Sequence, residues 1–360
     1  MNQNLHQYTL FIVDEASMIA NEGLSGSVFG TGRLLDDLIQ YVYGGQGCRL
    51  MLIGDTAQLP PVGEEESPAL SASMLEGYGL TVTERILTQV VRQKEASGIL
   101  YNATSLRHLI TGEDYGCLPK IRTLGFPDVK VVSGSELIET INECYDTVGM
   151  DETMIICRSN KRANLYNRGI RNSILYREEE LSGGDLLMVA KNNYFWSETY
   201  KDFDFIANGD LAVVRRVRRT REMYGFRFAD VLLEFPDYDH LEMEAKVLLD
   251  TLHVDSPSLS KEQSDRLFYG VWEDYADITT KREKMKKIKS DPWYNALQVK
   301  YAYAVTCHKA QGGQWERVFI DQGYMTEDML SPDYFRWLYT ALTRATSVAY
   351  LVNWPEEQTE

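Results

Sequence analysis

The chain has 360 residues and a mass of 41.2 kDa, too long for one ordinary core and suited to two domains with a small third. Its 44% hydrophobic, 25% charged and 11% aromatic content excludes a disordered or collagenous chain, and its five scattered cysteines (Cys48, Cys117, Cys144, Cys157, Cys307) form no Cys-x-x-Cys pair of the zinc or redox kind. Fifty-three acids against 37 Lys plus Arg give a formal net charge of −16, which as a global average argues against nucleic acid as a partner.

The cysteine pattern fits reduced thiols. No apolar run reaches the ~18 residues of a membrane span, and the start MNQNLHQYTL has no signal-peptide pattern. A cytoplasmic protein with no membrane partner is expected.

In chain order, short β-branched or aromatic runs alternate with helical stretches. YTLFIV (8–13) predicts a strand, RLLDDLIQYVY (33–43) a helix, RLMLIG (49–54) a strand, residues 67–77 a helix and LTVTERIL (80–87) a strand. That rhythm implies a parallel sheet with helices on its faces. A second α/β unit is expected from a strand at 129–133, a helix at 135–148, the strand TMIIC (153–157), a helix at 161–174, and strands at 299–306, 317–320 and 347–352. Between these, 186–250 carries short β-rich runs separated by Asn, Gly and Asp, which suggests a small inserted barrel or hairpin, and 261–289 is a charged helical stretch.

The first predicted strand ends in Asp14-Glu15-Ala16-Ser17. Two adjacent carboxylates at the C-terminal edge of a parallel strand suit magnesium on a nucleoside triphosphate and the orientation of an attacking water. An apolar strand leaving the core into a polar turn reads the same way. The next strand runs into Gly54-Asp55-Thr56-Ala57-Gln58-Leu59-Pro60-Pro61-Val62, a proline-stiffened loop whose amide can hydrogen-bond a phosphate or a water without adding charge. A plain turn is the other reading.

Taken together, FIVDEAS and LIGDTAQLPPV resemble motifs II and III of superfamily 1 DNA helicases, in the branch that includes RecD and Dda. LTQVVRQ (87–93), VAKNNY to NGDLAVV (189–214), YAVTCHKAQGGQW (303–315) and LYTALTRA (338–345) are similar to the later motifs, in the family's order. One departure is Ala212, where the RecD-type pattern has Gly.

The resemblance implies an α/β fold of two RecA-like P-loop NTPase lobes, the first truncated, with a small SH3-like β-rich insertion in the second. The corresponding domains are 1–88, then 89–208 with 297–360, and the insertion at 209–296. It implies ATP and Mg2+ as cofactors and single-stranded DNA as partner, with other subunits of a recombination or repair complex as further candidates. Asp14 would hold magnesium, Glu15 would polarise the attacking water and Gln58 would sense the γ-phosphate. Arg92 and Arg344 would be arginine fingers, and Gln314 would lie at the nucleotide or lobe junction. Thr306, His308 and Lys309, with Asn193, Tyr194, Arg215 and Arg216, would meet DNA. Translocation would run 5′→3′, as in the RecD-like branch.

Local counts qualify the global charge. Residues 153–177 carry six bases and no acid, 211–221 carry five arginines and no acid, and 281–289 carry six bases against Glu283. Such tracks can bind phosphates, with Tyr194, Phe195, Trp196 and Trp293 as possible stacking groups. The run at 281–289 reads better as a solvated helix face.

The family's phosphate-binding loop, Gly-x-x-x-x-Gly-Lys-Ser/Thr, has no counterpart, because no Gly-Lys dipeptide occurs in the sequence. The expectation is therefore a helicase fragment with little ATPase activity of its own. The competing expectation is a non-enzymatic remnant that binds single strands or a partner protein.

Overall fold

The computed structural model describes residues 3–22, 30–87, 97–198, 200 and 203–360. In chain order the described elements are β1 (Leu10–Val13), α1 (Leu34–Tyr43), β2 (Arg49–Leu52), α2 (Ala72–Glu76), α3 (Gly98–Thr111), β3 (Val129–Val132), α4 (Leu137–Thr147), β4 (Thr153–Cys157) and α5 (Asn160–Ser173). They continue with β5 (Leu186–Val189), β6 (Leu211–Met223), β7 (Phe226–Phe235), β8 (Leu241–Leu248), α6 (Lys261–Asp274) and α7 (Lys281–Lys289). The last are β9 (Leu297–Tyr301), β10 (Ala304–Thr306), α8 (Cys307–Ala310), β11 (Trp315–Asp321), α9 (Pro332–Leu342) and β12 (Ala345–Val352).

The chain divides into two compact units, Met1–Ser133 with Ala310–Glu360, and Gly134–Lys309. In the first unit β1 and β2 pair in parallel, Leu10 opposite Arg49 through Val13 opposite Leu52. Val13, Leu50 and Leu52 pack on Leu35 and Ile39 of α1 and on Ala16 and Ala69. The other face exposes Leu10, Ile12 and Met51, with Ile53 just beyond β2, an unusual state for a parallel sheet, whose faces are normally both covered. In the same unit β12 lies between β11 and β3, all parallel.

Helix α3 was not anticipated from the sequence. Its apolar side is Ile99, Ala103, Leu106 and Ile110, a spacing of four, three and four residues that marks one helical face. Its first amides are satisfied by side chains: Leu100 N donates to Ser97 Oγ, and Gly98 N and Ile99 N donate to the Asp128 carboxylate at 2.9 and 3.3 Å.

In the second unit β4 and β10 pair in parallel, with α5 packed against them. Strands β5 to β9 form a closed barrel, antiparallel except where β8 meets β9. Closure removes the open edges that a small sheet would otherwise expose. The barrel draws its first and last strands from 186–189 and 297–301, a wider span than 209–296. Asp185, wholly buried at the start of β5, accepts hydrogen bonds from Arg171 Nε at 3.0 Å, Arg177 Nη1 at 2.6 Å, Tyr303 Oη at 2.8 Å and Ser182 N at 2.7 Å, tying α5 to the barrel.

Two expectations require correction. Residues 80–87 form no strand; Leu80 and Val82 rest on the first unit's core while the segment from Thr83 to Leu87 is exposed, so the apolar alternation found a surface to lie on but no ladder to join. The run 299–306 is not one strand. Its first part, in β9, closes the barrel against β5, and its last part, β10, joins β4, with Ala302 N bonded to Leu186 O at the break.

Candidate nucleotide and nucleic-acid site

The first unit gathers the carboxylate turn and the proline-stiffened loop. At the end of β1, Glu15 sits in the left-handed region at φ 50° and ψ 36°, and Asp14 Oδ1 accepts the Glu15 amide at 2.8 Å. A non-glycine residue there carries strain of about 1 kcal/mol, a cost that proteins tend to tolerate where a side chain must be aimed. Ala16 N bonds Ile53 O at 2.8 Å, so the ends of β1 and β2 are held together. Gly54 has no freedom to carry a side chain, since a Cβ there would lie 2.9 Å from Ser17 N. Asp14 is exposed and Glu15 half-buried.

The loop after β2 is fixed from both ends. Asp55 Oδ1 accepts Ala57 N at 3.0 Å, and Gln58 N donates to Asp55 O at 3.1 Å. The Asp55 carboxylate also takes Tyr339 Oη of α9 at 2.8 Å and Arg107 Nη2 of α3 at 2.5 Å, and Arg107 Nη2 itself donates to Tyr339 Oη at 2.8 Å. Burial, and then the Asp55 charge, pushes the Tyr339 hydroxyl up to about 12, which keeps it a donor at neutral pH. Leu59 N donates to the buried Thr340 Oγ1 at 3.0 Å.

Gln311 joins the two segments. Its Nε2 lies 3.2 Å from Ser17 Oγ, 3.4 Å from Gln58 Oε1 and 3.2 Å from Leu59 O, while its Oε1 is buried with no protein donor among the described residues. Gln314, expected at this junction, is exposed in the turn before β11. Arg344 is 3% exposed and donates to Thr340 O, Gly313 O and Thr343 Oγ1, each at 3.1 Å, so its guanidinium here braces the end of α9 against the Gly312-Gly313 turn. Arg92 lies outside the described residues.

Carboxylate oxygens are hard ligands for magnesium and a neutral amide can donate its N–H to a phosphate, and Gln311 Oε1 beside Gln58 is a buried acceptor without a protein donor among the described residues. The residues present fit part of such a site. No Gly-Lys dipeptide, the mark of a phosphate loop, occurs in the sequence.

Thr306 and Lys309 belong to a cleft of the second unit, lined also by Asn160, Asn164, Asn167 and Lys300. Lys300 Nζ donates to Thr251 O at 3.2 Å and Val254 O at 2.6 Å, and burial draws its ammonium down to about 8. Burial lowers Lys309 too, and its ammonium bonds Asn208 Oδ1. A phosphate entering the cleft would restore the solvation these two cations have lost. His308 lies between these residues in α8, a single turn of helix.

The other expected DNA contacts divide. Asn193 is consumed by structure: Oδ1 accepts Phe195 N and Trp196 N at 3.0 and 3.2 Å, and Nδ2 donates to Asn295 O at 2.8 Å. Tyr194 is 46% exposed and stacks on Phe205 with centroids 5.1 Å apart. Arg215 pairs with Glu234, whose carboxyl is held low by its hydrogen bond to His240 and then by Arg215. Arg216 is exposed on β6.

Arg107, Tyr339 and Lys300 escaped the sequence reading. Lys300 has a signal, a lysine within the apolar strand LQVKY; Arg107 has none, since it is one more base on the polar side of a helix.

Residues 301–352 match the family model of the UvrD-like helicase C-terminal domain. Tyr339, Thr340 and Gln311 all lie in it. An uncharacterized protein of Acanthamoeba polyphaga mimivirus is 22% identical over 380 residues, covering 94% of this chain and 73% of the relative. Among solved structures, Pif1 helicase from Bacteroides in complex with ADP-AlF3 and ssDNA is similar at 16% identity and a TM-score of 0.46, over 95% of this chain and 70% of that one. Pif1 helicase from Candida albicans is similar at 17% identity and a TM-score of 0.42, over 97% and 72% of the two chains. Among the described residues no helix is long and apolar enough to cross a membrane.

Proposed function

We propose that the chain is part of an ATP-dependent superfamily 1 DNA helicase of the RecD-like branch, moving 5′→3′ on single-stranded DNA. The observation that carries this reading is the convergence of Gln311 and Thr340, both within the helicase-like segment, on Ser17, Gln58 and Leu59 of the two loops that end β1 and β2. In this reading residues 1–88 represent the first motor lobe, 89–208 with 297–360 the second, and 209–296 the insertion. The uncovered face of β1 and β2 supports an incomplete first lobe.

Bound magnesium would neutralise charge on the triphosphate. Asp14 would hold it, Glu15 would orient the attacking water and Gln58 would hydrogen-bond the γ-phosphate. Arg92 and Arg344 would stabilise the charge of the transferring phosphoryl group, Arg344 after leaving its Gly313 and Thr340 carbonyls. Thr306, His308 and Lys309, together with Lys300, would grip a backbone phosphate of the strand. Lacking a Gly-Lys phosphate loop, this chain by itself would hydrolyse ATP poorly. The possible fellow subunits are those of a recombination or repair assembly.

The test is binding of labelled oligothymidylate by the purified chain in a salt series, with ATP hydrolysis measured in parallel. Salt-sensitive binding that is lost in Thr306→Ala/His308→Ala, with negligible hydrolysis, supports the reading. ATP turnover at ordinary helicase rates that Glu15→Gln abolishes would refute the inactivity of this chain. No binding of single strands at low salt would refute the DNA site. The sequestered Arg344 favours a second reading, a non-enzymatic strand-binding remnant, whose affinity would be indifferent to ATP and to Arg344→Ala.

A further inference from the structure

The strongest basic feature outside the cleft is at one end of the barrel. Arg219 and Arg221 lie two residues apart on β6, opposite Asp230 and Phe228 of β7, which in turn face Lys246 and Leu248 of β8. This face is roofed by α6 and α7, whose Leu267, Val271 and Ile288 share a core with Phe226 and Phe228. Trp293 closes the edge of that roof: its ring stands 5.1 Å from Phe228 edge to face, with Lys246 Nζ 3.8 Å and Arg221 Cζ 5.9 Å from its centroid.

The loop that follows α7 is rigid. Asp291 Oδ1 accepts Trp293 N and Tyr294 N at 2.8 and 3.0 Å, and Asn295 Nδ2 returns to Lys289 O at 2.8 Å. The last turn of α7, with Lys286, Lys287 and Lys289 exposed, is thereby tied to the loop that carries Trp293, and Ile288 and Trp293 share the core below it.

These cations are displayed, not spent. Among the described residues no ion pair engages Arg219, Arg221, Lys286, Lys287 or Lys289, whereas the neighbouring Arg218 pairs with Glu244 and Lys246 with Asp230. Of the acids around the loop, Asp291 is occupied by the loop amides and Tyr275, and Asp274 by Tyr224, while Glu283 on α7 and Glu222 on β6 are exposed. Like charges three or four apart on a helix cost about 0.2–0.5 kcal/mol per pair, and α7 carries them at Arg282 and Lys286 and at Lys286 and Lys289. Glu283, three and four residues before Lys286 and Lys287, offsets only part of this repulsion, and the remaining excess of exposed cations is complementary to a polyanion.

We infer that this barrel end is a docking surface for the phosphate backbone of duplex DNA, separate from the single-strand cleft at Thr306 and Lys309. Arg219 and Arg221, at i and i+2 on β6, share one face of the strand and stand ~6.7 Å apart, so both can meet one phosphodiester backbone. The Trp293 ring already holds Lys246 at 3.8 Å from its centroid, with Arg221 at 5.9 Å and Phe228 edge to face, so the patch offers charge in preference to a stacking platform; that suits a duplex, whose bases are inside, better than a single strand. The inference rests on the reading that the protein works on DNA, and assigns to the barrel the double-stranded part of the substrate.

Fluorescence anisotropy of a short labelled duplex and of labelled oligothymidylate, each titrated with the full chain between about 50 and 200 mM salt, tests it. Lys286→Gln/Lys287→Gln/Lys289→Gln and, separately, Arg219→Gln/Arg221→Gln are expected to weaken duplex binding about tenfold or more and to flatten its salt slope by about one per cation removed, with oligothymidylate binding within twofold of the parent. Thr306→Ala/His308→Ala is expected to do the reverse. Duplex binding unchanged in both barrel variants, or absent in the parent chain while oligothymidylate binds, overturns the docking surface alone. Equal loss of both ligands overturns its separateness. Binding of neither ligand by the parent overturns the DNA reading itself. Competition by polyglutamate as effective as by unlabelled duplex assigns the patch to an acidic protein and overturns the inference.

Discussion

Tyr339 of α9 holds Asp55, 284 positions away in sequence, by a 2.8 Å hydrogen bond from its hydroxyl. The bond fixes the loop after β2 to a helix of the helicase-like C-terminal segment, and Arg107 completes a three-way contact on the same carboxylate. Movement of the Gln58 loop away from α9 must strain or break this contact.

Asp55→Ala removes a carboxylate with three partners, Ala57 N, Arg107 and Tyr339, and is expected to cost about 1–3 kcal/mol, because Ala57 and Tyr339 are buried and Arg107 half-buried. Arg107→Ala, at a position 39% exposed, is expected to cost about 1 kcal/mol or less. A double-mutant cycle by denaturant unfolding should give coupling of at least ~0.5 kcal/mol between the two. Additive effects would show that the contact is incidental.

Gln311→Ala is expected to loosen the loop from 54 to 62 more than the rest of the protein. The amide spans Ser17, Gln58 and Leu59, and its loss removes their common donor. Hydrogen exchange should quicken at Gln58 and Leu59, while global stability falls by only about 1 kcal/mol. Unchanged exchange in this loop would contradict the bridging role.

How legible this arrangement is in the sequence depends on the range of the contact. The placement of Asp14 and Glu15 just after β1, and of Gln58 in the loop that follows β2, was readable because local pattern and position coincide there. The β-rich character of 186–250 was readable from period-two runs. Arg107 and Tyr339 were not, because their meaning comes from contacts over 52 and 284 positions that no local periodicity encodes. Residues 80–87 failed for the opposite reason: their alternation is genuine, but a strand also needs a free neighbouring edge. Asn193, expected to meet DNA, has its amide engaged in a turn in this structure, since Asn serves both purposes with the same group.

Binding of single strands should weaken as pH rises from about 7 to 9, the interval in which an ammonium drawn down to about 8 loses its proton. The sign follows from burial: the folded state holds Lys300 charged at a cost below pH 8, and a bound phosphate recovers that cost only while the charge is present. The same group makes the free protein gain stability between about pH 8 and 10.5, where the unfolded chain binds the proton that the folded chain has lost. Lys300→Gln should weaken oligothymidylate binding at pH 7 and reduce its pH dependence. A pH profile identical to the parent's would remove Lys300 from the site.

Glu15 gives the sharpest separation of stability from function. Its left-handed backbone, at φ 50°, is a conformation that Asn adopts more readily than Glu, and no side-chain hydrogen bond from Glu15 caps the short helical turn that begins at Ala16. Glu15→Asn should therefore stabilise the fold by about 0.5–1 kcal/mol, read as a higher midpoint in denaturant with an unchanged slope. If the carboxylate orients water at a nucleotide, the same substitution introduced into any form of the protein that hydrolyses ATP should abolish turnover while leaving oligothymidylate affinity within twofold. A stabilised protein with lost turnover is the signature of strain retained for chemistry. A destabilised one would mean that the Glu15 side chain carries packing that its half-buried position does not reveal.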